Sequence, residues 1–111
     1  MSIRAEKRKP HLERSEQPTV FDVYWAAGFY EGEGTVARSG QVAISQKNKE
    51  PLDRLRTVFG GNIRQDVSRG IHIWEVSGKR ARSFLAVIEP LLSDRRRSQL
   101  QAKGITFDSP V

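Results

Sequence analysis

The feature that most constrains this chain is an apolar run that ends in carboxylates interleaved with glycines, WAAGFYEGEG at residues 25–34. The apolar side chains at residues 20–29 are typical of a buried helix. Thr19 precedes Asp22 by three residues, which is the spacing of a capping box. The pattern therefore predicts a buried helix that begins near residue 20 and ends near residue 32.

The end of this helix has a bare face and an unfavourable charge. Gly28 and Gly32 are four residues apart and share one face, which allows a second helix to approach closely. Glu31 and Glu33 stand where the helix dipole is already negative, so a positive group should offset them. If that face meets a second copy of the chain, up to four carboxylates converge, and Mg²⁺ suits such oxygen ligands. The alternative is an ordinary helix end with solvated acids.

The composition favours a polyanionic partner. Among 111 residues, 19 Lys and Arg outnumber 13 Asp and Glu, giving a net charge of +6. This balance is typical of nucleic-acid-binding proteins, although ribosomal and other basic proteins share it. The chain has no cysteine, which excludes disulfides and thiolate metal sites. No apolar run approaches the length of a membrane span. We expect a cytoplasmic protein, associated with the nucleoid and not with a membrane.

The chain divides by composition into three parts. Residues 1–18 are rich in charge and poor in apolar side chains, which predicts a flexible basic arm that either touches phosphates or is simply solvated. Residues 19–104 have the apolar content of one folded domain. Residues 105–111 form a short tail.

The pattern after the first helix predicts two β-hairpins separated and followed by helices. A helix capped by Asn48 ends at Gly60, a third follows Ser77 and is kinked or ended by Pro90, and a fourth covers residues 94–101. The predicted strands are residues 35–39, 41–45, 62–66 and 71–76. The order is typical of an α+β fold in which helices cover one face of a four-stranded antiparallel sheet.

Alternation along the strands assigns side chains to the two faces of this sheet. The buried face takes Val36, Val42, Ile44, Ile63, Trp74 and Val76. The open face takes Thr35, Ala37, Ser39, Gln41, Ala43, Ser45, Asn62, Arg64, Asp66, Ile71, Ile73 and Glu75. In the last strand the opposite register, which buries Ile71 and Ile73, remains an alternative.

The motif and the element order together resemble the LAGLIDADG homing endonucleases. Residues 26–34, AAGFYEGEG, match the family's nine-residue signature, with aromatics and glutamates replacing some aliphatics and aspartates. The resemblance covers residues 20–103 and implies the family's αββαββα saddle. Because the chain carries one copy of the signature, it resembles the members that act as homodimers. The resemblance implies a dimer interface at Ala27, Gly28, Glu31 and Gly32.

The resemblance also implies a catalytic site at the end of the signature. The last acid, Glu33, and the following carbonyl, at Gly34, would bind Mg²⁺ for in-line hydrolysis of a phosphodiester. Gln46, with Lys47 beside it, and Arg95 stand where the family orders water. Lysine is usual at the position of Arg95, and arginine braces phosphate but does not readily carry a proton.

In the family, the open sheet face reads double-stranded DNA along the major groove. The residues that this implies as DNA-binding are Thr35, Ala37, Ser39, Gln41, Ala43, Ser45, Asn62, Arg64, Asp66, Ile71 and Ile73. Arg54, Arg96, Arg97 and the N-terminal arm are candidates for phosphate contacts. The expected function is a site-specific double-strand break in a long pseudo-palindromic site. The alternatives are a cleavage-inactive DNA-binding or RNA-splicing relative, and a basic structural protein.

Overall fold

A computed structural model describes residues 18–105 of the chain. Apart from Pro18 and Ile105, the predicted N-terminal arm and C-terminal tail lie outside these residues. The described part is an α+β fold with four helices and one four-stranded antiparallel sheet of order β1-β2-β4-β3. Its elements are α1 (Val20–Glu33), β1 (Gly34–Val36), β2 (Val42–Gln46), α2 (Glu50–Phe59), β3 (Asn62–Asp66), β4 (Ile71–Val76), α3 (Gly78–Ile88), a 3-10 turn (Glu89–Leu91) and α4 (Asp94–Ala102). None of the described helices could span a membrane.

Local signals set the ends of the helices much as predicted. The capping box of α1 is present, because the Asp22 amide donates to the Thr19 hydroxyl while the Thr19 amide donates to the Asp22 carboxylate. Asn48 was expected to cap α2, but the N-cap is Lys49; the Asn48 side chain, one residue earlier, accepts a hydrogen bond from the Glu50 amide at 3.1 Å. The predicted end of α3 at the proline is also confirmed, since the helix gives way to a 3-10 turn there.

The predicted faces of the sheet are confirmed for the paired strand residues. Trp74 lies opposite Ile44 on one side and Ile63 on the other, and both Trp74 and Ile44 are fully buried in the core. The Trp74 indole N–H donates to the Gly60 carbonyl oxygen at 2.9 Å, which satisfies its buried polar atom. The register that places Trp74 and Val76 toward the helices is therefore the one adopted.

The opposite face of the sheet is less open than predicted at its centre. Ile73 points away from the helices, yet it is only 3% exposed and does not belong to the main core cluster. It sits on a central strand between Ser45 and Arg64, its direct cross-strand neighbours. These neighbouring side chains cover it, because opposite residues in an antiparallel sheet are only about 5 Å apart.

The first hairpin is shorter than predicted. β1 ends at Val36, so the expected strand over 35–39 was wrong at its end, and residues 38–40 form a turn. The Ala37 amide donates to the Gln41 carbonyl at 2.9 Å, which closes the hairpin. Gly40 has a φ of +95°, a conformation that glycine adopts readily and that breaks the extended run.

The prediction that α1 is buried along its apolar length was wrong for one face. Ala26, Ala27 and Tyr30 pack in the core, whereas Phe21 is 79% and Tyr24 60% exposed. The helix is apolar on both sides, but the described fold supplies a core on one side only. This leaves a large apolar surface on the outer side of α1.

Candidate functional site

The candidate site lies where α1 runs directly into β1. Glu33 is the last residue of the helix and Gly34 the first of the strand, with no loop between them. The Gly34 amide donates to the Tyr30 carbonyl, and its backbone is already extended (φ −79°, ψ 154°). Glu33 is exposed, and its side chain has no hydrogen-bond or ion-pair partner among residues 18–105.

Gly34 is required at this junction by packing. A Cβ atom added there would lie 2.1 Å from Cδ1 of the Tyr30 ring, far inside contact distance. Tyr30 itself is buried, so its ring has little room to move. The aromatic ring and the glycine together bring the strand close against the helix and direct the chain sharply away after Glu33.

Glu31, the other acid of the motif, is used inside the chain. Its carboxylate accepts hydrogen bonds from the amide and the hydroxyl of Ser93, the N-cap of α4, at 2.9 and 2.6 Å. These bonds, with a smaller electrostatic contribution from Arg96 and Arg95, lower the pKa of Glu31 below its ordinary value of 4.5. The carboxylate is therefore held ionised against the start of α4.

The three consecutive arginines of α4 face different ways, as a helix requires. The Arg96 Nε donates to the Glu31 carbonyl oxygen at 3.0 Å, and its guanidinium lies 5.2 Å from the centre of the Tyr30 ring. Arg97 pairs with Glu89 at 3.1 Å. Arg95 is exposed. Arg96 and Arg97 thus have structural contacts that the phosphate-contact prediction did not foresee.

The topology brings the predicted catalytic residues to one end of the fold. Because Gly34 lies opposite Ile44 in antiparallel strands, the end of β2, at Gln46, lies at the end of the sheet where β1 begins. Gln46 is half-buried and Lys47 exposed. The contact between Glu31 and Ser93 brings the start of α4 to the same end, and Arg95 with it.

The described residues of one chain supply only part of a metal site. Glu33 offers a carboxylate and Gly34 a carbonyl, and such hard oxygen ligands suit Mg²⁺. Within residues 18–105, however, no group of three or more His, Asp or Glu side chains could hold a metal ion. The donor type of Glu33 and Gly34 therefore fits Mg²⁺, but residues 18–105 do not by themselves complete a metal site. Water, a bound phosphate or a second copy of the chain could supply further oxygen ligands.

The open sheet face carries most of the predicted DNA-binding residues. The strand register places Thr35, Ala43, Ser45, Asn62, Arg64, Asp66, Ile71 and Ile73 on it, together with Glu75. Ala37, Ser39 and Gln41 lie instead in the connection between β1 and β2, outside the strands. Ser39 accepts a hydrogen bond from the Gln41 amide at 3.4 Å within this connection.

Asp66 is less available than its position on a strand suggests. Its carboxylate bonds the Arg69 Nε at 2.9 Å, the Ser68 hydroxyl at 2.8 Å and the Arg69 amide at 3.2 Å. The Arg69 and Ser68 side chains lower the pKa of Asp66 from 3.8 to about 2. This carboxylate therefore shapes the turn between β3 and β4.

The outer face of α1 forms the second part of the candidate site. Gly28 and Gly32 are both exposed, and a Cβ atom at either would meet nothing within 4 Å. An open groove of about 430 Å³ runs beside Gly28, lined by Tyr24, Trp25, Phe29 and Pro51. Of the predicted interface residues, Gly28 and Gly32 lie on this face. Ala27 is buried in the chain's own core.

Phe21 and Tyr24 were missed as candidate interface residues. The available signal was that α1 has no polar face in its first three turns, which one small sheet cannot cover on all sides. Arg54 was predicted to contact phosphate, but it lies over the Trp25 ring at 4.0 Å and pairs with Asp22 at 3.3 Å. It covers one edge of the exposed apolar surface.

Neither a scan against protein-family models nor a search of curated proteins returned a match to this chain. The assignment of function therefore rests on the residues and their geometry.

Proposed function

We propose that this protein is a single-motif LAGLIDADG homing endonuclease with the family's αββαββα saddle. In this proposal it acts as a homodimer and makes a Mg²⁺-dependent double-strand break at a long pseudo-palindromic DNA site. The observation that carries the proposal is the end of α1. There an exposed Glu33, with no partner among residues 18–105, ends a helix whose outer face is bare at Gly28 and Gly32 and apolar at Phe21 and Tyr24.

Dimerisation would complete the site that one chain begins. Two copies that pack through the outer faces of α1 would bring both Glu33 carboxylates to the two-fold axis. The glycines permit close approach of the two helix backbones, and the apolar surface favours burial. Two neighbouring carboxylates cannot both stay ionised without a nearby cation, so assembly and metal binding would be coupled.

The roles of the site residues follow from their chemistry. Glu33 and the Gly34 carbonyl would hold Mg²⁺, which supplies positive charge at the scissile phosphate when bound. Gln46 would orient water by hydrogen bonds, while Lys47 and Arg95 attract and brace phosphate oxygens. The open face of the sheet would lie in the major groove and contact base edges.

Selection of cleaved and bound duplexes from a random library tests this proposal. With Mg²⁺ we expect enrichment of one cut sequence with two-fold related halves. With Ca²⁺ in its place the same sequence should be bound and left intact. Enrichment of a bound sequence that is never cut would favour the cleavage-inactive alternative. Absence of any sequence enrichment would overturn DNA recognition altogether.

A further inference from the structure

An ion pair lies across the open face of the sheet. The Nε of Arg64, on β3, lies 2.9 Å from Oε2 of Glu75, on β4. The two residues are diagonal neighbours, because Asn62 is directly opposite Glu75 and Ile73 directly opposite Arg64. The Arg64 side chain is 52% exposed and that of Glu75 19%, so the arginine projects from the face and the carboxylate lies lower.

The surroundings limit how the Arg64 side chain can move. Ile73, directly opposite it, is almost fully buried although it belongs to the open face, so the stem of Arg64 forms part of its cover. The Glu75 carboxylate fixes the Nε edge of the guanidinium. An arginine held at its stem and at Nε loses less conformational freedom on binding than a free one.

The groups that remain on Arg64 match a particular ligand. Its two terminal nitrogens have no hydrogen-bond partner within residues 18–105, and they donate side by side in one plane. In the major groove, guanine presents two adjacent acceptors, O6 and N7, that pair with such a fork. Adenine presents one acceptor beside a donor, which the fork cannot match.

The charge of the pair favours a base over a phosphate as the ligand. Glu75 offsets the positive charge of Arg64 and would repel a nearby phosphate oxygen. Affinity for the DNA backbone depends on unopposed cations, whereas recognition of a base edge depends on fixed donors. A neutralised, oriented arginine is therefore suited to base recognition.

We propose that Arg64 recognises one guanine in each half of the target site and that Glu75 is its positioning residue. The proposal rests on the proposed function, because it requires that the open face lies in the major groove. A cross-strand ion pair could instead serve the stability of the sheet alone, and the two roles predict different results for conservative substitutions.

The test is selection of bound duplexes from a random library in Ca²⁺, with the full-length protein and three variants. Arg64→Lys keeps the charge but loses the planar fork, and Glu75→Gln keeps a polar group but loses the charge. Arg56→Lys is the matched control. Arg56 also forms an exposed ion pair, with Asp53 at 3.5 Å, but this pair lies on α2, on the other side of the sheet. Thermal unfolding of each variant shows that it is folded.

We expect the wild type to prefer guanine about tenfold or more at one position in each half-site. Arg64→Lys should lose this preference at that position and keep the preferences elsewhere, and Glu75→Gln should weaken it several-fold. Arg56→Lys should keep the wild-type profile. Unchanged profiles in both test variants, or an equal loss at every position, would overturn this inference and leave the proposed function intact. Failure of the wild type to enrich any sequence would overturn both.

Discussion

The Glu31 carboxylate accepts hydrogen bonds from the amide and the hydroxyl of Ser93, at 2.9 and 2.6 Å. The two residues are 62 positions apart in the chain. The contact joins the end of α1 to the start of α4, whose Arg96 amide donates in turn to the Ser93 hydroxyl at 3.2 Å. The two acids of the motif therefore have different surroundings, since Glu31 holds the fold together and Glu33 faces outward.

Replacing Glu31 by glutamine should destabilise the fold. The side-chain oxygen of glutamine can accept a hydrogen bond from either the amide or the hydroxyl of Ser93. Its NH₂ group then faces the remaining Ser93 donor, and two donors cannot form a hydrogen bond. We expect a loss of about 1 kcal/mol in the free energy of unfolding at neutral pH, the size of a lost helix cap. Denaturant unfolding measures it. Glu33→Gln is the matched control, and a loss as large in that variant would contradict the distinction between the two acids.

The stabilising contact of Glu31 should disappear in acid. Because hydrogen bonds from Ser93 lower the pKa of Glu31 in the folded state, its contribution is fully present above the unfolded value of about 4.5 and is lost as the pH falls through the lower folded value. Asp22 and Asp66 have pKa values shifted in the same direction. Both carboxylates are present in wild type and in Glu31→Gln, so the difference in stability between the two proteins reports the contribution of Glu31 alone. It should shrink below pH 4.5, and a constant difference would refute the assignment.

Two glycines of the motif should respond oppositely to alanine. At Gly34 the new Cβ would collide with the buried Tyr30 ring, so we expect Gly34→Ala to cost about 2 kcal/mol or more. At Gly28 nothing lies within 4 Å and the residue is inside a helix, so Gly28→Ala should stabilise the monomer by about 0.5–1 kcal/mol. Denaturant unfolding at low protein concentration compares the two. Equal effects would contradict the packing described for Gly34.

Features that depend on neighbours in sequence could be predicted from the sequence. The capping box at Thr19 needs only residues three positions apart. Alternation reduced the register of β4 to two choices, and the favoured one, with Trp74 and Val76 inward, is the one adopted. The spacing of Gly28 and Gly32 likewise identified a bare helix face before the fold was known. In each case the physical cause operates within one element.

Features that depend on which surface another element covers could not be predicted in this way. The burial of Ile73 requires knowing that Ser45 and Arg64 flank it, and the exposure of Phe21 requires knowing that the core lies on the far side of α1. The bond between Glu31 and Ser93 joins two elements far apart in the chain. Sequence alone left the partner of Glu31 open because many polar groups would have satisfied it.

The outer face of α1 should drive self-association. Phe21 and Val67 are almost equally exposed, at 79% and 78%, but Val67 lies in the turn between β3 and β4. Phe21→Ser should therefore weaken dimerisation at least about tenfold, since burial of this side chain is lost in both copies. Val67→Ser should leave it unchanged. Sedimentation equilibrium over a range of concentrations measures both.

A second variant tests whether the α1 helices of the two copies must approach closely or need only bury apolar surface. Gly28→Leu adds apolar surface but holds the partner backbone away, so it should weaken the dimer although it is more hydrophobic. Tighter association of this variant would show that the helices do not meet closely at Gly28. A wild-type chain that stays monomeric at all concentrations, with and without DNA, would remove the interface from the proposal.

Glu33→Gln should separate cutting from binding. Glutamine has nearly the shape of glutamate and an oxygen that can still face a metal, but it lacks the charge that holds Mg²⁺ beside a phosphate. We expect cleavage of the selected duplex to fall by a factor of about 100 or more, because the loss removes stabilisation of developing charge. Binding in Ca²⁺ should change only a few-fold, since the sheet face and the α1 surface are untouched.

Glu31→Gln, assayed below its unfolding temperature, is the control and should retain most cleavage, because the Glu31 carboxylate bonds Ser93 and not the metal. If both variants cut equally well, the metal role does not belong to Glu33. If Glu33→Gln loses binding and cutting together, its carboxylate acts in assembly and not in hydrolysis.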